Sequence, residues 1–107
     1  MALADKKCEA CHGGTKALSS GEYAPMLREL KDWEVIENHK LHKSVKTKDF
    51  KQALDLANKV GAIAEEEGHH PDLLVRWGEL GIDMWTHAVN GLSEADFVMA
   101  AKIDRAL

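Results

Sequence analysis

Several classes of protein are excluded by what this 107-residue chain lacks. No apolar run approaches the ~20 residues that span a bilayer, so no membrane partner is expected. The start, MALADKK, is charged by its fifth residue and lacks the apolar stretch of a secretory signal. Basic side chains are the minority, 14 against 18 acidic, and no Lys/Arg block stands out. The basic stripe that would displace counterions from phosphates is therefore missing, and no nucleic-acid partner is expected. Two cysteines cannot make a disulfide framework, which fits a reducing, cytoplasmic location. With two prolines, no internal repeat and no low-complexity tract, the chain reads as one compact domain over residues 19–107. Residues 1–18 read as a polar, flexible lead-in.

That lead-in holds the first motif, Cys8-Glu9-Ala10-Cys11-His12-Gly13-Gly14. C-x-x-C-H is the attachment pattern of c-type haem. Covalent haem attachment normally follows export, and no export signal is visible. A small cytochrome is also mainly helical, whereas residues 33–46 and 72–87 read as strands. Met26, Met84 or Met99 could still supply a distal ligand, so ligand count alone does not decide. A zinc site from Cys8, Cys11 and His12, completed by another chain, is a second reading. A plain redox-sensitive lead-in is the favoured one, because a short motif needs its structural context.

Beyond it, Ser19-Ser20 offer N-caps for a helix through Leu30, with Pro25 tolerable only in the first turn. Trp33–Ile36 is a short strand, Glu37 to Lys40 a turn, and Leu41, Lys43 and Val45 alternate with His42, Ser44 and Lys46 as in a second strand. Helical spacing follows at Phe50, Ala53, Leu54, Ala57, Val60 and Ala64, widened by Leu56 and Ile63. Thr47 is the expected N-cap, Asp49 suits the positive helix end, and Gly68 should close the helix before Pro71. Leu73–Trp77 and Leu80–Trp85 flank Gly78-Glu79, a type II′ turn with glycine first. Facing residues then sum to 157, pairing Trp77 with Leu80, Val75 with Ile82 and Leu73 with Met84. The apolar side chains share one face, and the same arithmetic sets His70 opposite His87. Ser93 and Asp96 form a capping box for a closing helix carrying Phe97, Val98, Ala101 and Ile103. The order α-β-β-α-β-β-α predicts an α+β fold, a four-stranded antiparallel sheet with helices on one face.

The richest chemistry lies in Glu65-Glu66-Glu67-Gly68-His69-His70-Pro71 and Thr86-His87. Imidazoles that titrate near neutrality and meet in one cleft suit general acid–base catalysis. Glu65 stands four residues before His69, where it can orient or charge-pair an imidazole. Surface loop histidines are the alternative for His69-His70, and convergence of His87 favours a site. Zinc held by three histidines is a further reading, poorly suited by adjacent residues that point apart. Asp96 is explained by its cap, and His39 and His42 read as solvated residues of a polar strand edge. Trp33, Trp77 and Trp85 read as core or interface residues, with Trp85 able to wall a flat substrate.

These residues resemble the pterin-4a-carbinolamine dehydratase family. Its pattern is an acidic residue, three residues, His-His-Pro, a hairpin ending in Thr-His or Ser-His, Gly-Leu-Ser and an Asp in the last helix. Here those are Glu65, His69-His70-Pro71, Thr86-His87, Gly91-Leu92-Ser93 and Asp96, with Asp32-Trp33 and Lys48-Asp49-Phe50 upstream. The resemblance runs from Trp33 to Asp104. It implies loss of water from 4a-hydroxytetrahydrobiopterin or a bacterial analogue, giving quinonoid dihydropterin. The pterin would be the one left by an aromatic amino acid hydroxylase, and the implied cofactors are none, neither metal nor organic. His69, His70 and His87 would be catalytic, with His69 the acid. Glu65, Gly68, Trp85, Thr86 and Asp96 would bind substrate. The resemblance also implies homodimers or homotetramers built through the sheet edge and the long helix. Leu73, where animal relatives carry a bulky aromatic, and Ala88-Val89 depart from those relatives and bear on side-chain specificity. The rival class is a non-catalytic binding or regulatory module assisting a pterin-dependent hydroxylase or pterin-cofactor metabolism.

Overall fold

In a computed structural model that describes residues 3–5 and 16–107, four antiparallel strands form one sheet in the order β1-β2-β4-β3. They are β1 (Glu34–Ile36), β2 (Lys40–Lys46), β3 (Asp72–Arg76) and β4 (Glu79–Met84). The helices are α1 (Ser20–Leu27), α2 (Phe50–Glu67) and α3 (Glu94–Ala106). This is the expected α+β fold. The motif at Cys8–Gly14 lies outside the described residues. Among the described residues no helix is long and apolar enough to cross a membrane.

The period-two pattern sets the faces. Val35, Leu41 and Met84 form one inward row; Lys43, Ile82 and Leu73 the next; Val45, Leu80 and Val75 the last. Leu41, Leu80, Ile82 and Met84 are fully buried against Val60 and Ala64 of α2 and Phe97, Met99 and Ile103 of α3. Lys43 lies on the inward face because its ammonium reaches Asp104 Oδ1 at 2.7 Å and the Lys31 carbonyl at 2.8 Å. The indole N–H of buried Trp33 donates to the same carboxylate oxygen at 2.9 Å. This clip ties the first hairpin to the end of α3.

The second hairpin differs from expectation by two residues. Its turn is Trp77-Gly78, and facing residues sum to 155: Val75 opposes Leu80 and Leu73 opposes Ile82. Gly78 has φ +82°, as the second central position of a type II turn requires, so glycine comes second rather than first. A slip of two preserves the faces, which is why the apolar pattern could not reveal it. Trp77 moves from the apolar face to the turn and is 73% exposed. His70 does not oppose His87: β4 stops at Met84, and His87 opens a 3₁₀ turn, His87–Val89.

Two helix boundaries also shift. Ser19 caps α1, with its amide donating to Glu22 Oε1 at 2.8 Å, but the helix stops at Leu27 rather than Leu30. Pro25 is its sixth residue, beyond the first turn, and cannot donate to the Gly21 carbonyl. After Leu27 the chain tightens into i→i+3 bonds, Glu29 to Met26 and Leu30 to Leu27. Asp49, not Thr47, caps α2, accepting from the Gln52 amide at 2.8 Å, while the Thr47 hydroxyl donates to the Asp49 carbonyl. Gly68 ends α2 in the left-handed region, φ +67°, as expected. Phe50 and Leu54, expected in the buried stripe, are 46% and 43% exposed, and the core takes Ala53, Ala57, Val60 and Ala64.

Three polar contacts fasten the leading residues. Leu3 is buried in the core cluster, the Lys102 ammonium donates to the Ala4 carbonyl at 2.9 Å, and Arg105 pairs with Asp5. The Leu18 amide donates to the Leu92 carbonyl at 2.8 Å. There a Cβ on Gly91 would lie 2.7 Å from the Ala17 Cβ, so the crossing needs glycine.

Candidate active site

Gly68 and Pro71 turn the chain from α2 into β3, and the two imidazoles between them go separate ways. His69 points inward, 12% exposed, and its Nε2 lies 2.6 Å from Asp96 Oδ1. His70 points outward, its Nε2 2.5 Å from Glu65 Oε2. Adjacent residues in extended backbone are expected to diverge in this way. The far wall is Trp85-Thr86-His87-Ala88, the segment leaving β4. The Thr86 amide bonds the Gly91 carbonyl at 2.8 Å, closing a small loop that presents His87 to the cleft.

Between them lies an open cleft of about 430 Å³, lined by Gly68 through Asp72 and by Trp85 through Ala88. His69, His70 and His87 all line it, although the hairpin arithmetic that led there was two residues out. Trp85 lines it as well, its ring centroid 4.7 Å from that of His87 at a 43° tilt. Among the described residues no three His, Cys, Asp or Glu side chains converge as a metal-ligating group.

Behind His69 is a buried polar network. Asp96 has no exposed surface and accepts from three sides: His69 at Oδ1, and the Thr86 hydroxyl at 2.8 Å and the Ser93 amide at 2.9 Å at Oδ2. The Thr86 and Ser93 hydroxyls are 2.7 Å apart. An ionised carboxylate only accepts, so His69 Nε2 carries its hydrogen and Nδ1 is left for proton exchange. Asp96 is thus both helix cap and support for His69; the cap alone, sufficient from sequence, was half of its part. Asp96, expected to bind substrate, is not among the residues that line the cleft, and Thr86 lines it with its hydroxyl engaged by Asp96. Glu65 is engaged with His70 and lies outside the lining.

Two further histidines depart from the solvated reading. His42 Nδ1 is 2.6 Å from Asp83 Oδ1 on the outer face of the sheet, and neither residue is part of the cleft lining. His39 lies against Trp85, centroids 5.4 Å apart. That contact joins the segment after β4 to the turn between β1 and β2, and no spacing along the chain signals it.

Comparison with known proteins gives the family. Residues 16–106 match the family model described as Pterin 4 alpha carbinolamine dehydratase. The chain belongs to that family. Relatives from Rubrobacter xylanophilus and Alkaliphilus metalliredigens, each named "Putative pterin-4-alpha-carbinolamine dehydratase", are 46% and 49% identical over 103 and 104 residues. The matches cover 96% of this chain in both cases, and 96% and 94% of the relatives. A crystal structure from Brucella melitensis, described as a transcriptional coactivator/pterin dehydratase, superposes with a TM-score of 0.77 at 28% identity. It covers 85% of this chain and 97% of its own. The likeness to pterin-4-alpha-carbinolamine dehydratases therefore spans both walls of the cleft.

Proposed function

We propose that this protein dehydrates a 4a-hydroxytetrahydropterin to the quinonoid dihydropterin, by proton transfer among the imidazoles of the cleft. The observation that carries the reading is the opening of His69, His70 and His87 onto one cleft beside an indole, in a chain of this family. Loss of water breaks the C4a–O bond and forms the C4a=N5 bond. One group protonates the departing hydroxyl, and another takes the proton from N5. His69 is the acid. Asp96 holds Nε2–H, so the acid form is the imidazolium, and its Nδ1–H gives the proton to the leaving oxygen, leaving the neutral Nε2–H ring. His87 and His70 bind the pterin and share the base duty. Exchange with water returns the proton from base to acid. Trp85 and the Gly68 backbone bound the flat ring, and Glu65 fixes the His70 ring. No metal or organic cofactor enters these steps. The substrate is the pterin released by an aromatic amino acid hydroxylase.

Assembly belongs to the same proposal. β3 is an edge strand, and Phe50 and Leu54 leave an apolar row exposed on α2. We assign both to contacts between copies of this chain, giving a homodimer or homotetramer.

The test is stopped-flow dehydration of freshly generated 4a-hydroxytetrahydropterin. His69→Ala and His87→Ala are each expected to lose about 10²-fold or more in rate, with circular dichroism and melting temperature unchanged. Wild-type rates in both variants would overturn the enzyme reading and favour a non-catalytic binding module.

A further inference from the structure

His39 comes from the turn of the first hairpin and is not part of the cleft lining, yet its place is closely determined. Glu37 and Asn38 have φ of +52° and +55°, the conformation of a turn with both central residues left-handed, which asparagine adopts readily. The His39 amide closes that turn on the Ile36 carbonyl at 2.9 Å. Buried Tyr23 donates its hydroxyl to Asn38 Oδ1 at 2.5 Å, and its ring stacks on fully buried Phe97, centroids 5.6 Å apart. The turn is therefore anchored to the core. The imidazole it carries lies 5.4 Å from the Trp85 indole at a 39° tilt, and the indole lies 4.7 Å from His87. Trp85 follows the last paired residue of β4 and is only half-buried, so neither ladder bonds nor deep burial fix its side chain.

We infer that His39 is a positioning residue for substrate binding: it braces the Trp85 indole so that the cleft keeps a flat wall for the pterin ring. This rests on the proposed function for the identity of the ligand. Aromatic pairs of this kind contribute modestly, enough to change the population of a bound-competent rotamer by about threefold to tenfold. The contact is made before substrate arrives, so its loss appears in binding rather than in chemistry.

The test compares His39→Ala, His39→Gln and His39→Phe in two readouts. In steady-state dehydration, His39→Ala and His39→Gln are expected to raise KM about threefold to tenfold, with kcat within about twofold of wild type. His39→Phe restores a planar ring and returns KM toward the wild-type value. In ¹H–¹⁵N spectra the Trp85 indole resonance shifts or broadens in the Ala and Gln variants, while those of Trp33 and Trp77 hold. An unchanged KM in His39→Ala and His39→Gln, or a His39→Phe variant no better than Ala, overturns the inference. If the wild type does not turn over a pterin, the proposed function fails. The Trp85 resonance then decides the brace by itself, and an unmoved signal sinks it.

Discussion

Asp96 is completely buried and accepts from His69, Thr86 and Ser93, so its charge is compensated on three sides. Asp96→Asn keeps the shape and removes the charge, and an amide nitrogen must then face one of those donors. We expect a loss of about 1–3 kcal/mol in urea unfolding, together with a lower kcat at unchanged KM. The distinguishing readout is the His69 tautomer in ¹H–¹⁵N spectra: Nε2–H in the wild type, mixed in the variant. A variant that loses stability but keeps both tautomer and kcat would reduce Asp96 to a cap. At this scale the sequence offered candidates without their directions. It marked His69, His70, His87, Glu65 and Asp96, but could not show that His69 turns inward to Asp96 while His70 turns outward to Glu65. Nor could it show His39 meeting Trp85, since that contact depends on two turns far apart in the chain.

The elements were legible wherever a local rule had one solution. Gly68 ends α2 because the chain must pass through the left-handed region there, and a Cβ at that position would meet nothing within 4 Å. Gly68→Ala is therefore expected to cost about 1 kcal/mol from backbone conformation alone, read as a lower melting temperature with unchanged oligomer size. A cost near zero would contradict the φ of +67°. The start of α1 carries its own pH dependence. Accepting from the Ser19 amide and hydroxyl holds the Glu22 carboxyl below its ordinary value of 4.5. A depressed folded value means the cap contributes fully above about pH 4.5 and is lost as pH falls through the lower folded value. The stability difference between wild type and Glu22→Gln should therefore be larger at pH 6 than in strong acid. A difference independent of pH would sink this account. Where two local rules competed, the sequence misled. Gly78-Glu79 and Trp77-Gly78 are both two-residue turns, and either keeps the apolar residues inward, so register was undetermined although faces were not.

For the molecule as a whole, packing of the leading segment links the amino end to the cleft. The Leu18 amide holds the Leu92 carbonyl, and Gly91 both admits Ala17 and accepts the Thr86 amide. Gly91→Ala would force two Cβ atoms to 2.7 Å, so the segment or the Thr86 loop must move. We expect a loss of about 1–3 kcal/mol and a fall in activity, because Thr86 stands between His87 and Asp96. Full activity with native stability would show that the crossing is not coupled to the site. The α+β order was readable because each helix and strand carries its own periodicity. Exposure of Phe50, Leu54 and Trp77 was not, since an apolar residue has the same pattern whether it faces a core or another copy. The proposed assembly predicts that Phe50→Lys combined with Leu54→Lys lowers the mass found by light scattering. A monomeric wild type, or an unchanged assembly in the variant, would contradict it.

The most direct measurement of the central claim is a titration of the imidazole ¹H–¹⁵N spectrum with a stable dihydropterin. The resonances of His69, His70 and His87 should move together along one binding curve, while that of His42, bonded to Asp83 on the outer face, stays fixed. Movement of His42 with none in the other three would show that the pterin binds elsewhere and that the shared cleft is not the site.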